Sequence, residues 1–318
     1  MASYTTGQIK RLYYVDESVY ATTPASALGY SGEIAGFKMD CNFNPELVYL
    51  AGMRSFQASY RGPYDVGFTY KAICRIYDAG KGAWNWTDFW AKYGMGLTTG
   101  MSLTDSLPTF SALTGKTVGA NNYYNLWNGC KANKLSISCD KPGTAIQWEM
   151  DCLAQMVEWD TDKTFIGLQS VTVGADPTPP TSAILAWKGN LRIDLGAGLT
   201  TIYPSKFALE VNHNLRRDYG IVTGNDTINY PVATWLQEDK AEVTLDMTLP
   251  HGTETFNAAK KDGTAVLSAT IPLGNKTLTL YGGVFDASDF PDYTQAAMEE
   301  SVKIHFGGTS PNAAIVLA

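Results

Sequence analysis

Apolar and polar residues alternate with a period of two over most of this chain, a pattern that points to half-buried strands. Lys134-Leu-Ser-Ile-Ser-Cys139, Ala145-Ile-Gln-Trp-Glu-Met-Asp-Cys-Leu153, Leu191-Arg-Ile-Asp-Leu195, Glu242-Val-Thr-Leu-Asp-Met-Thr-Leu249 and Thr277-Leu-Thr-Leu280 each put every second side chain on one face. One face then packs on a core and the other meets water or a neighbour, as in antiparallel sheets. Turn residues such as Lys141-Pro-Gly143 separate the runs. Only two stretches read as helix. Trp86, Phe89, Trp90 and Tyr93 fall at i, i+3, i+4 and i+7 and end at Gly94, a natural C-terminal cap. A weaker helix runs from about Thr253 to Asp262 and ends at Gly263. The expected fold class is mainly β.

The two helices occupy matching places in two similar halves. Phe37-Lys-Met39-Asp-Cys41-Asn-Phe43-Asn44 aligns with Phe207-Ala-Leu209-Glu-Val211-Asn-His213-Asn214 at an offset of 170 residues. The segment ending at Gly94 aligns with the one ending at Gly263 at an offset of 169. Leu126-Trp-Asn-Gly129 matches Leu280-Tyr-Gly-Gly283, and Ile146-Gln-Trp148 falls near Val302-Lys-Ile304. The smaller offset there, near 155, implies a longer loop around residues 100–122 of the first copy. Four landmarks in one order indicate an internal duplication. Between the copies, Gly174-Ala-Asp-Pro-Thr-Pro-Pro-Thr-Ser182 is too rich in proline for helix and reads as an extended spacer. A length of 318 residues suits two domains. The organisation read from the sequence is an N-terminal arm (1–29), a domain over 30–170, a Pro-rich linker over 171–182 and a domain over 183–318. Each domain is expected to be a β-sandwich or barrel with one short helix.

Little in the chain suggests catalysis. His213, His251 and His305 lack metal spacing and convergent partners. Glu238-Asp239 and Glu299-Glu300 are adjacent in sequence, so each pair points to opposite faces of a strand and reads as a solvated edge rather than a glycosidase pair. No G-x-S-x-G elbow, Walker loop or dinucleotide-binding glycine pattern occurs. No cofactor and no metal is expected. Trp84, Trp86 and Trp90 could form an exposed carbohydrate platform, but their helical spacing favours a buried face. Cys41, Cys74, Cys130, Cys139 and Cys152 are odd in number and include no C-x-x-C pair, so they read as buried reduced thiols. A net charge of -7 without a basic run excludes a general nucleic-acid binder. No apolar run is long enough to span a bilayer, and the N-terminus has no signal-peptide pattern. Assembly in a cytoplasm is expected, which makes the N-x-[ST] triplets at Asn85, Asn225 and Asn275 incidental.

Trp187-Lys-Gly-Asn-Leu-Arg-Ile-Asp-Leu195, followed by Ser205-Lys-Phe-Ala-Leu-Glu-Val-Asn-His-Asn-Leu215, resembles the tail-tube proteins of tailed viruses. Gly36-Phe-Lys-Met-Asp-Cys-Asn-Phe-Asn-Pro-Glu-Leu47 is similar, though Asn44-Pro45-Glu46 interrupts its Asn-Leu ending. The region from Asn133 through Lys141-Pro-Gly143 to Asp151 is similar to the closing hairpin of that family. The resemblance implies tandem tail-tube-like domains that contribute strands to a large barrel around a channel. Single-domain relatives form hexameric rings, so a chain with two copies would form a trimeric ring, and such rings would stack into a tube that conducts the genome. It also implies a virion location, contact with tape-measure and other tail proteins, and viral DNA passing without specific binding. A secreted two-domain carbohydrate-binding or adhesive β-sandwich is the alternative function.

Two groups of residues stand out within that reading. Asp40 and Glu210 occupy near-equivalent positions and alternate with apolar neighbours, which makes them candidates for the lumen face; an ordinary outer polar face is the other possibility. The long loops near Pro45–Asp65 and Arg216–Glu238 carry Leu50, Met53, Phe56 and Tyr60 in one copy, and Tyr219, Ile221, Ile228, Tyr230, Val232 and Trp235 in the other. Such apolar content is costly on a free surface and suits ring stacking, against the alternative of a hairpin folded back on its own domain.

Overall fold

The structure is a computed structural model that describes residues 11–23, 29–42, 46–48, 58–60, 63–76, 87–97, 106–118, 121–160, 184–220, 232–250, 254–286, 299–308 and 314–318. It is mainly β, as the alternation requires. In the first half the strands are β1 (Arg11–Asp16), β2 (Gly29–Glu33), β3 (Gly36–Asn42), β4 (Glu46–Val48), β5 (Ala58–Tyr60), β6 (Asp65–Ile73), β7 (Phe110–Val118), β8 (Asn121–Cys139), β9 (Gln147–Ala154) and β10 (Met156–Asp160). In the second they are β11 (Leu191–Asp194), β12 (Leu199–Ile202), β13 (Lys206–Asn212), β14 (Arg216–Gly220), β15 (Val232–Gln237), β16 (Glu242–Pro250), β17 (Val266–Leu273), β18 (Lys276–Phe285), β19 (Glu299–Phe306) and β20 (Ile315–Leu317).

All described pairings are antiparallel. In the first half β1 pairs with β2 and β7, β7 with β8, β8 with β9 and β10, β9 with β6, and β6 with β3. The second half follows the same scheme: β11 pairs with β12 and β17, β17 with β18, β18 with β19 and β20, β19 with β16, and β16 with β13. Each half also has a separate hairpin, β4–β5 or β14–β15, in the segment read as a long loop. Within the stretch read as an arm, Arg11–Asp16 is a strand inside the sheet. The two halves do not form separate sheets. β13 pairs with the outer edge of β8, giving one open sheet that runs from β3 through β6, β9, β8, β13, β16, β19, β18, β17 and β11 to β12. The Pro-rich linker lies outside the described residues.

Strict alternation gives this sheet two different faces. Tyr70, Met150, Leu135, Val211 and Val243 lie side by side on the buried face, and Trp148, Ile137, Leu209, Leu245 and Ile304 form the next row. Both helices belong to the core. The first, Thr87–Gly94, matches the aromatic stripe, with Phe89, Trp90 and Tyr93 all buried; Trp84 and Trp86 lie outside the described residues. Trp90 stacks on Tyr70 at 4.8 Å, and Tyr93 sits 4.5 Å from Phe110. The turns of this helix are wider than α, with the Met95 amide donating to the Trp90 carbonyl at 3.0 Å. Gly94 does not act as a left-handed cap. Its backbone presses on the sheet, where a Cβ would meet Leu135 at 3.1 Å, and the left-handed residue is Gly96. The second helix, Glu254–Asp262, does end on left-handed Gly263, and the Thr264 amide reaches back to the Ala259 carbonyl.

Two expectations need correction. Phe110–Val118 is a strand, so the extra length of the first half lies between Gly94 and Phe110 and does not extend to residue 122. Glu300 is not at a solvated edge. It is buried against Lys260 at 2.8 Å and ties the second helix to β19. The adjacent-carboxylate pattern could not show this, because the partner lies on another element.

β8 has nineteen residues and changes neighbours along its length. Its first part lies between β7 and β10, and its second part between β9 and β13. The change falls at Gly129, a left-handed residue with a φ of 62°. A Cβ there would lie 3.0 Å from Gln155 and 3.1 Å from Ala21. Left-handed backbone costs a side-chain-bearing residue about 1–2 kcal/mol. Gly129→Ala should lose that much plus a crowding cost. Gly143→Ala, at a φ of 85° with nothing within 4 Å of the added methyl, should lose the backbone cost alone. Denaturant melts of both variants would test the order, and equal losses would show that crowding at Gly129 is relieved.

Candidate functional site at the seam between the halves

The seam begins as a strand pair. Cys139 faces Phe207, Ile137 faces Leu209, Leu135 faces Val211 and Lys134 faces Asn212. Beyond the end of β13 the chain stays attached: the His213 amide donates to the Asn133 carbonyl at 2.8 Å, and the Leu215 amide to Asn133 Oδ1 at 2.9 Å. His213 is buried, and its Nε2–H donates to the Gly94 carbonyl at 2.9 Å, satisfying the end of the first helix. Burial lowers the pKa of this imidazole, against the opposing effects of the Gly94 carbonyl and the Glu238 carboxylate, so it sits in the seam as a neutral donor.

The β14–β15 hairpin then crosses onto the first half. Arg217 Nη2 donates to the Val66 carbonyl at 2.9 Å, and its Nη1 lies 3.6 Å from Asp65. The Tyr219 hydroxyl donates to the same Asp65 carboxylate. Burial, with the Asp65 carboxylate beside it, pushes that hydroxyl up to about 12, so it remains a donor at neutral pH. β6 has Gly67 at the crossing, where a Cβ would strike the Cys152 carbonyl of β9 at 2.5 Å but would make only an ordinary contact, 3.7 Å, with the guanidinium.

Lys131 of β8 is the centre of the contact. It is buried, and its ammonium pairs with Glu238 at 2.6 Å, donates to the Leu236 carbonyl at 3.2 Å and lies 4.7 Å from the centre of the Trp235 ring. The Tyr20 ring lies 5.9 Å from the same ammonium and packs on Trp235 with ring centres 4.6 Å apart. The second Glu238 oxygen accepts from the Leu107 amide at 2.9 Å. Glu238 is therefore a bridge between the halves and not the solvated edge expected of it, while Asp239 does keep an exposed partner in Arg216.

Tyr219 and Trp235 thus contact the first half of their own chain and remain partly exposed. Leu50, Met53, Phe56, Ile228 and Tyr230 lie outside the described residues, as does the side chain of Tyr60. Asp40 and Glu210 each take the fifth place in their strand and lie on the polar face of the sheet. Glu210 is held by Lys134 at 2.7 Å, and Lys71 and Glu149 pair beside it at 2.6 Å. The cysteines are free thiols, four buried and Cys41 half-buried. Burial raises Cys74 to about 12 and holds Cys130 and Cys152 well above the ordinary thiol range. Among the described residues no group of three or more His, Cys, Asp or Glu side chains could hold a metal.

Lys131 and Arg217 were not picked out from the sequence, and Glu238 was read as a solvated edge. The structure buries both faces of β8 from Asn125 to Ala132, so a lysine inside that run has to find a partner across the strand.

The geometry is that of a structural chain, with its ionic and aromatic groups committed to holding one half against the other. Residues 7–318 match the family model described as phage tail tube protein, which covers nearly the whole chain. The protein belongs to that family and is a structural tail component. No curated protein matches it.

Two measurements test the seam. Glu238→Ala leaves a buried ammonium unpaired and should cost roughly 3 kcal/mol in a denaturant melt, whereas Lys131→Met replaces the charge with an apolar chain and should cost less. The reverse order would mean that Lys131 is hydrated when its partner is removed. Because the folded-state pKa of His213 is lowered, the unfolded chain binds the extra proton first, and stability should fall as pH drops below the ordinary value of 6.5. His213→Gln should flatten the melting temperature between about pH 7.5 and about pH 5.5. An unchanged slope in that variant would assign the acid sensitivity to another group.

Proposed function

We propose that the chain is the ring-forming subunit of the tail tube, carrying two tube units related by duplication, and that three chains close a ring whose polar sheet face lines the genome channel. The observation behind this reading is the β8–β13 seam. The halves share one pairing scheme, and the second joins the outer edge of the first by ordinary strand pairing. A unit that joins another in this way can join a third by the same geometry. Six units supplied by three chains give a closed ring with pseudo-sixfold symmetry. The first unit in this reading starts at Arg11, because β1 belongs to the sheet. Closing the ring would pair the strand edges that a single chain leaves open.

The polar face suits a conduit for DNA. Lys38, Lys71, Lys134, Lys206 and Lys303 lie among Asp40, Glu149, Asp151, Glu210, Glu242 and Asp246 across neighbouring strands. With Lys71 and Lys134 held by Glu149 and Glu210 and the other lysines interleaved with carboxylates, the face offers no continuous cationic track for phosphates. A lumen lined by this face is charge-balanced, with Asp40 and Glu210 as two of its acidic members. The bases of the hairpins serve lateral contacts, as Tyr219 and Trp235 do. The residues between their strands, Leu50, Met53 and Phe56 in one and Ile228 and Tyr230 in the other, are left for stacking one ring on the next and for meeting the tape-measure and terminal proteins.

Helical reconstruction of assembled tubes should find three chains per ring; six would mean that one half does not line the channel. Phe56→Asp with Ile228→Asp should leave rings that no longer elongate. Tubes of normal length from that double variant would assign stacking elsewhere.

A further inference from the structure

The contact that seals Lys131 has a counterpart in the second half that none of the described residues covers. The register fixes the equivalence: Phe110 pairs with Cys130 in the first half, and Val266 with Gly283 in the second, each just after a left-handed glycine, Gly129 or Gly282. Lys131 therefore corresponds to Val284, and Ser111 to Leu267. Ser111 is buried, bonded to Thr23 and Glu17 at 2.6 Å, and Lys131 lies beneath β15. Leu267 is 50% exposed and Val284 63% exposed. Both project from the face opposite Val266 and Gly283 and lie diagonally across neighbouring strands, with His305 facing Val284 from β19. The β1–β2 connection that covers Ser111 is cut in the second half to the four residues between Asp194 and Leu199.

We propose that Leu267 and Val284 form the docking site for the β4–β5 hairpin of a second copy of this chain. This rests on the ring reading and names the lateral contact within it. Three observations identify the occupant. First, β4–β5 has the register of the hairpin that covers Lys131: Glu46 pairs with Tyr60 as Arg216 pairs with Gln237, each following its preceding strand by the same interval. Second, the register puts Ala58 at the position of Trp235, so the pairing of an indole with a lysine inside the chain corresponds in sequence to an alanine and a valine. Third, the hairpin cannot reach the patch in its own chain. Seven strand spacings separate β3 from β18 along the sheet, roughly 34 Å, and the three residues between β3 and β4 span at most about 14 Å. The ring would then have two kinds of junction, one sealed by a buried ion pair inside each chain and one apolar between chains.

Val284→Asp with Leu267→Asp tests this with little risk to the fold, because both side chains are exposed in the single chain. The variant should melt within a few degrees of wild type and yield at least tenfold fewer rings and tubes by electron microscopy. A variant that assembles like wild type overturns the docking site. As a positive test, Ala58→Cys with Val284→Cys in a Cys41→Ser background should, on oxidation of assembled rings, give chain-to-chain crosslinks on a non-reducing gel, absent from either single-cysteine chain. A crosslink formed only within one chain would show that the patch is covered by its own polypeptide and would overturn the proposal. The two readings fail separately. Chain-to-chain crosslinks in an assembly of other than three chains would overturn the trimeric ring and keep the docking site. Three-chain rings from the double Asp variant would do the reverse.

Discussion

The longest strand-to-strand junction between the halves runs along one strand. β8 gives its first part to β7 and β10 and its second part to β9 and β13, so four strands are placed by a single backbone. A straight strand cannot serve two sets of neighbours without a break in register. Gly129 supplies the break, and the bulge between Ala132 and Lys134 adds a second irregularity. Between these two points lies Lys131. The strand turns there from one pairing environment to the other, and its side chain points toward neither a regular core nor water. The hairpin from the second half closes that space.

The chemistry of the closure follows from where it falls. A buried ion pair contributes less to stability than an apolar cluster of similar volume, because both ions must be desolvated. It does penalise a wrong partner heavily, since an ammonium without its carboxylate is left stranded. Lys131 is satisfied by Glu238, by the Leu236 carbonyl and by the Trp235 face, which arrive together only when β14–β15 is seated, and by Tyr20 of its own half. His213 adds a similar condition, because its proton has an acceptor only where the first helix ends. The seam is thus selective as well as adhesive, and it fixes the two halves into one block with a continuous sheet.

Much of this architecture was legible in the sequence. Alternation gave β9, β11 and β16 nearly to the residue, and the last part of β8 and the middle of β18, because a sheet with one wet face must alternate. The aromatic stripe and the glycine after Asp262 gave both helices. The matched pairs Phe37/Phe207 and Asp40/Glu210 fall on β3 and β13, at the second and fifth places of each. The sequence signal failed where residues depend on partners far along the chain. Glu238 and Glu300 look like solvated acids until Lys131 and Lys260 are brought to them across 107 and 40 residues. Period-two arguments report which face a side chain takes, and they carry no information about what the fold places on that face. The two hairpins were read as long loops, with a folded-back hairpin as the alternative, for a related reason: a pair of short strands set apart from the main sheet has no continuous core face of its own to impose alternation.

A sheet that leaves strand edges unpaired is an aggregation hazard for a free subunit and a resource for a subunit that assembles. The low share of charged residues, 17%, fits the second case, since it leaves less of the surface protected against association. The distribution of those charges matters more than their number. Lysines and carboxylates are interleaved on the broad polar face, where pairs such as Lys134–Glu210 neutralise one another, while Leu267 and Val284 leave an apolar patch at one side of the second half. A face with balanced charge neither binds nor strongly repels a polyanion, whereas an apolar patch gains by being covered. The same strand alternation that builds the core therefore separates the surface into a part suited to lining a channel and a part suited to joining the next subunit.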